Sequence, residues 1–132
     1  LRMSFSGKYT EKEMHRMIQG EGGMIAYLGT NNAHDVEMKV LQGDQESTFI
    51  MEAMAYQIAK LIGSMYTVMH CDVDAILLTG GLAHGKWFVN KIIERVYKIA
   101  PVHIYPGEDE MKALAYNGLR VIKGETVAKE YS

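Results

Sequence analysis

The stretch LLTGGLAHGKWF, residues 77–88, holds the first residues whose type and spacing could do chemistry. An apolar run ends in Gly80 and Gly81, and a helix-compatible segment follows at once. Adjacent glycines cost backbone entropy, so the pair needs a reason. A tight turn is one. Close approach of a ligand is the other: a phosphate could come up to Gly81 with no Cβ in its way and take hydrogen bonds from the first amides of the following helix. The segment is not a Walker loop, because Lys86 comes too late and no Ser or Thr follows it. It is not the dinucleotide fingerprint either. On spacing alone, a plain turn and a phosphate or nucleotide site both stay open.

Two further segments could take part. PGEDEM, residues 106–111, puts Glu108, Asp109 and Glu110 at the start of a predicted helix. Carboxylates there complement the helix dipole and cap it. A carboxylate in such a place could also orient magnesium beside a nucleotide, often through water. TNNAHD, residues 30–35, is a polar loop ahead of a helix, and capping and turn chemistry account for it without a ligand. The histidines, His15, His34, His70, His84 and His103, show no metal-ligand spacing. Cys71 is the lone cysteine, which leaves no internal disulfide, and a buried, inert thiol is expected.

The elements that must position these residues follow from periodicity. TEKEMHRMIQ, residues 10–19, reads as a short helix, with Thr10 as N-cap and Glu13 in the capping-box position. MIAYLG, residues 24–29, is a short apolar stretch. Asn31 or Asn32 could cap a helix that Gly43 ends, and Asp44 could cap the next, which runs to about His70. That helix carries Ile50, Met54, Ile58, Leu61 and Met65 in one stripe, widened by Met51, Ala55, Ile62 and Met69, so packing on several sides is expected. VDAILLTG is the best strand, an apolar run that predicts cover on both faces. After the glycines, Phe88, Ile92, Val96 and Ile99 share a helix face, with Lys91, Glu94 and Lys98 in solvent. VHIYPG is a second strand. A last helix, capped by Asp109, carries Met111, Leu114, Ala115, Gly118, Leu119 and Ile122 as a stripe.

Strand, helix, strand, helix in the second half predicts an α/β fold with a parallel pair and a right-handed crossover. Two strands make a poor parallel sheet. The rest of the sheet is expected outside this chain or from a second copy. In such sheets ligands sit at the carboxyl ends of the strands. Gly80, Gly81 and Gly107 lie at those ends.

Composition sets the bounds. A chain of 132 residues is one domain's worth. A net charge of -2 gives no electrostatic case for nucleic acid or an acidic membrane surface. The apolar stretch 49–69 is broken by Glu52, Gln57 and Lys60, so it reads as a buried helix and not a membrane span. No signal peptide is visible, and a cytoplasmic location is expected. Leu1 stands where an initiator methionine would, which fits a fragment.

Taken in order, SGKY, GEGGMIAYLGTNNAHDVE, MEAMAYQIAK, DAILLTGGLAHGKWFVNKIIERV and IAPVHIYPGEDEMKALAYNGLRVIKGE resemble the end of butyrate kinases over nearly the whole chain. Butyrate kinases group with acetate kinases in the superfamily of sugar kinases, actin and the heat-shock chaperone ATPases. The resemblance implies a partial actin-like ATPase (ribonuclease H-like) domain, residues 1–132, beginning after that domain's first three strands. It implies the carboxy-terminal, nucleotide-binding half of an enzyme that transfers phosphoryl from ATP to a short-chain carboxylate, giving acyl phosphate and ADP. Gly80, Gly81 and Leu82 would pack on the ribose and α-phosphate, and Asn32, Ala33 and His34 would flank the adenine. Glu110 would help to hold Mg2+. The carboxylate would bind to an amino-terminal domain absent from this chain, so the isolated chain is expected to be inactive, and its free strand edge to self-associate. One segment departs from the pattern: where butyrate kinases would carry NDAREVE, this chain has NNAHDVE, so an acid becomes Asn32 and an arginine becomes His34. Histidine lacks arginine's planar fork and fixed charge. The alternative is a non-catalytic nucleotide-binding or interaction module.

Overall fold

The computed structural model describes residues 2–107 and 110–128, apart from the side chain of Glu110. The chain opens with α1 (Glu11–Ile18), α2 (Met24–Leu28), α3 (Ala33–Leu41) and α4 (Gln45–Val68). β1 (Ile76–Gly80), a 3-10 turn (Gly81–His84), α5 (Lys86–Val96), β2 (Val102–Pro106) and α6 (Glu110–Ile122) complete it. The local signals for the helix starts hold. Thr10 and Glu13 form the full capping box, and Asn32 and Asp44 each accept a backbone amide at the head of their helix. Hydrogen bonds from Ser47, side chain first and backbone second, hold the Asp44 carboxyl below its ordinary range. The Thr10 backbone and then its hydroxyl do the same for Glu13.

β1 and β2 pair in parallel, in register from Ile76↔Val102 to Gly80↔Pro106. The pairing is closed at its far end by Gly107, whose N–H donates to the Gly80 carbonyl at 3.2 Å. The core lies on one side of this sheet. Val36 and Val40 of α3, Met51 and Ala55 of α4, and Phe88, Ile92 and Val96 of α5 are buried around Ile76. α4 is the hub, packing on α2, α3 and α5. Lys91, expected in solvent, instead reaches Glu52 across the α4–α5 seam at 3.0 Å.

α4 packs on several sides as its broad stripe predicts, yet a shortage of partners leaves other apolar surface without cover. The sheet is covered on one face only, and Leu77 is 63% exposed on the other. α4 buries Met51, Ala55 and Ala59, whereas Leu61 and Met65 in its second half and its C-cap Met69 stay exposed. The stripe of α6 is exposed throughout, at Met111, Leu114, Leu119 and Ile122. The expected cap at Asp109 lies outside the described residues. Cys71, expected inside, is exposed in the left-handed turn that ends α4, where it follows His70 with φ 62. No helix among the described residues is long and apolar enough to cross a membrane.

Candidate functional site

The amino end of α3 and the loop after β1 meet over α4. Between them is a small open cleft of about 40 Å³. Ala33, His34 and Glu37 line it from α3, and Gly81, Leu82, His84 and Gly85 from the loop, with Met51 and Phe88 as its floor. Two segments that lie far apart in sequence thus share one wall.

The loop's path depends on its first residue. Gly80 has φ 86 and ψ -178, a conformation essentially confined to glycine. No atom lies within 4 Å of where a Cβ would stand, so the requirement is conformational and not spatial. The helix does not follow the glycine pair directly. The 3-10 turn intervenes, and α5 starts at Lys86. His84 comes back over the strand ends, its Nε2 3.7 Å from the position a Cβ on Gly107 would take. Gly80 and Gly107 lie side by side at the two carboxyl ends, joined by the Gly107 amide's hydrogen bond to the Gly80 carbonyl.

The head of α5 is already occupied. Its N-cap, Gly85, has no side chain to offer. Glu37, fifty residues away on α3, supplies the cap: its Oε1 accepts the amide of Trp87 at 2.7 Å and that of Phe88 at 3.3 Å. Glu37 is 8% exposed. A carboxylate so buried is costly unless hydrogen-bonded, and the two amides, at the positive end of a helix, supply that. Each hydrogen bond to a charged group contributes roughly 1.5–3 kcal/mol. A phosphate at the loop cannot use these two amides while Glu37 holds them.

The sequence candidates fall as follows. Ala33, His34, Gly81 and Leu82 line the cleft, and Gly80 sets up the loop from the end of β1. Asn32 is turned to capping: its Oδ1 accepts the Asp35 amide at 3.4 Å and its Nδ2 donates to Asp35 Oδ2 at 2.7 Å. The side chain of Glu110 lies outside the described residues. Sequence reasoning missed Glu37, Gly85 and His84. Gly85 left a signal, a helix start with no capping side chain of its own, which asks for a cap from elsewhere.

The acetokinase family model matches residues 4–114. Butyrate kinase 2 of Clostridium acetobutylicum is 51% identical over 131 residues, which is 99% of this chain and 37% of that protein. The crystal structure of a propionate kinase from Francisella tularensis subsp. tularensis SCHU S4 superposes with a TM-score of 0.70 at 17% identity, over 83% of this chain and 34% of that one. That likeness is one of fold, the actin-like ATPase fold. The chain spans little more than a third of the curated relative it matches.

Proposed function

The chain belongs to the acetokinase family, and from that premise we propose that it forms the nucleotide wall, in the carboxy-terminal half, of a carboxylate kinase. The observation that carries the reading is the meeting of Ala33 and His34 with Gly81 and Leu82 in one cleft, at the carboxyl end of a parallel strand pair. That is where open α/β sheets bind ligands. Similarity to a butyrate kinase supports a short-chain carboxylate as the acceptor.

In the reaction, a carboxylate oxygen attacks the γ-phosphorus of ATP. The new O–P bond forms as the bond to the β-phosphate oxygen breaks, and ADP leaves. Such transfer depends on positioning and on electrostatic stabilisation of the phosphoryl oxygens. This chain's share is positioning: Gly80 and Gly81 let the backbone lie close to the nucleotide, and Ala33, His34 and Leu82 flank it. Magnesium is commonly held by one or two carboxylates together with the substrate phosphates. Among the described residues no group of three or more His, Cys, Asp or Glu gathers to hold a metal alone. Glu110 is the carboxylate we assign to the ion that arrives with the nucleotide. The acceptor pocket and the catalytic charges belong to an amino-terminal domain.

A titration of the chain with Mg-ADP should give saturable heat, whereas butyrate and Mg-ATP should yield no acyl phosphate. No heat up to millimolar nucleotide would contradict the nucleotide wall, and turnover would contradict the division of labour. Asn32 and His34, where butyrate kinases would carry an acid and an arginine, favour a second reading, a non-catalytic nucleotide-binding module. It predicts ADP binding without turnover even in the full-length protein.

A further inference from the structure

We propose that Glu37 and Gly85 form a latch that positions the nucleotide wall. This rests on the nucleotide reading above. The two sides of the cleft sit on different segments, α3 and the Gly81–Gly85 loop. α3 and α5 each pack on α4, and the Glu37 carboxylate ties one directly to the other. Its Oε1 fixes the first turn of α5 through Trp87 and Phe88. The loop that carries Gly81 and Leu82 runs straight into that turn, so the hydrogen bonds also fix the loop's distance from His34, one helical turn before Glu37 on α3.

Gly85 is the other half. Its φ of -74 and ψ of 97 suit any residue, so no backbone demand explains the glycine. Space does. A Cβ there would stand 2.7 Å from Glu37 Oε2, 3.2 Å from its Cδ and 3.3 Å from Oε1. The carboxyl is the end of a flexible side chain, but a buried one held by two amides. A Cβ at residue 85 would force the carboxyl to shift from this position, against the two amides that hold its Oε1. Glu37 needs Gly85 to reach the helix, and α5 needs Glu37 because Gly85 cannot cap it.

The latch makes Glu37 a positioning residue and not a catalytic one. The test uses the full-length protein, with Mg-ADP binding by calorimetry, steady-state KM for ATP and for the carboxylate, and hydrogen exchange at the amides of Trp87 and Phe88. Glu37→Ala and Gly85→Ala should each weaken ADP binding about ten- to a hundredfold, the scale of a small misplacement of binding groups. The double variant should be no worse than the poorer single, because the two changes break one contact. Both should speed exchange at the two amides. Glu37→Gln should stay within about threefold of wild type, because its carbonyl oxygen still accepts both amides. The KM for ATP should rise and that for the carboxylate should hold. Val96→Ala, a core change remote from the cleft, should lower stability and leave ADP affinity alone. ADP affinity unchanged in Glu37→Ala, or additive losses in the double variant, would overturn the latch and leave the nucleotide reading standing. A wild type that binds no ADP would overturn both.

Discussion

Single residues decide where the loop after β1 runs, and its glycines do so for different reasons. Gly80 is required by its backbone angles, with open space where a Cβ would be. Gly80→Ala should therefore cost about 1–3 kcal/mol, all of it backbone strain. Gly63 gives the contrast. It lies inside α4, and again nothing stands within 4 Å of a Cβ. Gly63→Ala should stabilise by roughly 0.5–1 kcal/mol, the helix propensity of alanine over glycine. Urea denaturation of both variants checks the pair; equal signs would contradict it. At this scale the sequence was legible where partners lie three or four residues apart. Thr10 with Glu13 is read from spacing, as are Asn31 or Asn32 and Asp44 as caps; the structure selects Asn32 and supplies the Asp35 and Ser47 amides as partners. Glu37 was not, because its partners lie fifty residues on.

Most elements were legible from their period, and α1, α3 and α4 also from a local cap. The helix and strand assignments for α1, α3, α4, β1, α5, β2 and α6 all follow from the sequence, to within a few residues. Which face of each is buried was not, because burial needs the neighbours. α4 shows it: one apolar stripe, widened by Met51, Ala55, Ile62 and Met69, is visible, yet the most buried positions are Met51 and Ala55, on the helix that packs against α3 and α5. The caps give the elements an acid dependence. Asp44 and Glu13 titrate lower in the folded chain than in the unfolded one. Their contribution is therefore complete at neutral pH, above the unfolded values near about 4, and is lost as pH falls through the lowered folded values. Asp44→Asn should remove part of that acid-side loss while keeping an acceptor at the head of α4. A helical circular dichroism signal followed from pH 6 to pH 2 checks it, and an identical profile in variant and wild type would contradict it.

The whole molecule shows too much surface. A compact monomer of this mass, 14.8 kDa, would expose about 7,000 Å². This chain exposes 10627 Å². Exposed apolar side chains mark the far face of the sheet, the second half of α4 and the length of α6, and the amino-terminal segment through α1 adds Phe5 and Ile18. The groove between α4 and β1 is apolar, lined by Leu61, Ile62, Met65 and Ile76 among others. Sheet edges and apolar faces of this kind recruit other chains. Alone in solution the chain should self-associate, and light scattering should give a mass that rises with concentration; a monomeric mass throughout would contradict this. The shortage of sheet was legible in the sequence, from two strands among many helices. Its consequence for α6 was not, because a clean stripe says that a helix has a buried face, not that the partner is in the same chain.

We propose that Ala33 and His34 on one side, and Gly81 and Leu82 on the other, hold the base and ribose of a nucleotide. Photolabelling the full-length protein with 8-azido-ADP and mapping the adduct tests it most directly. Trypsin would separate the two sides into peptides 17–39 and 61–86. Saturable label is expected in one or both, removed by excess ADP. Saturable, ADP-protected label confined to other peptides would place the nucleotide elsewhere and contradict it.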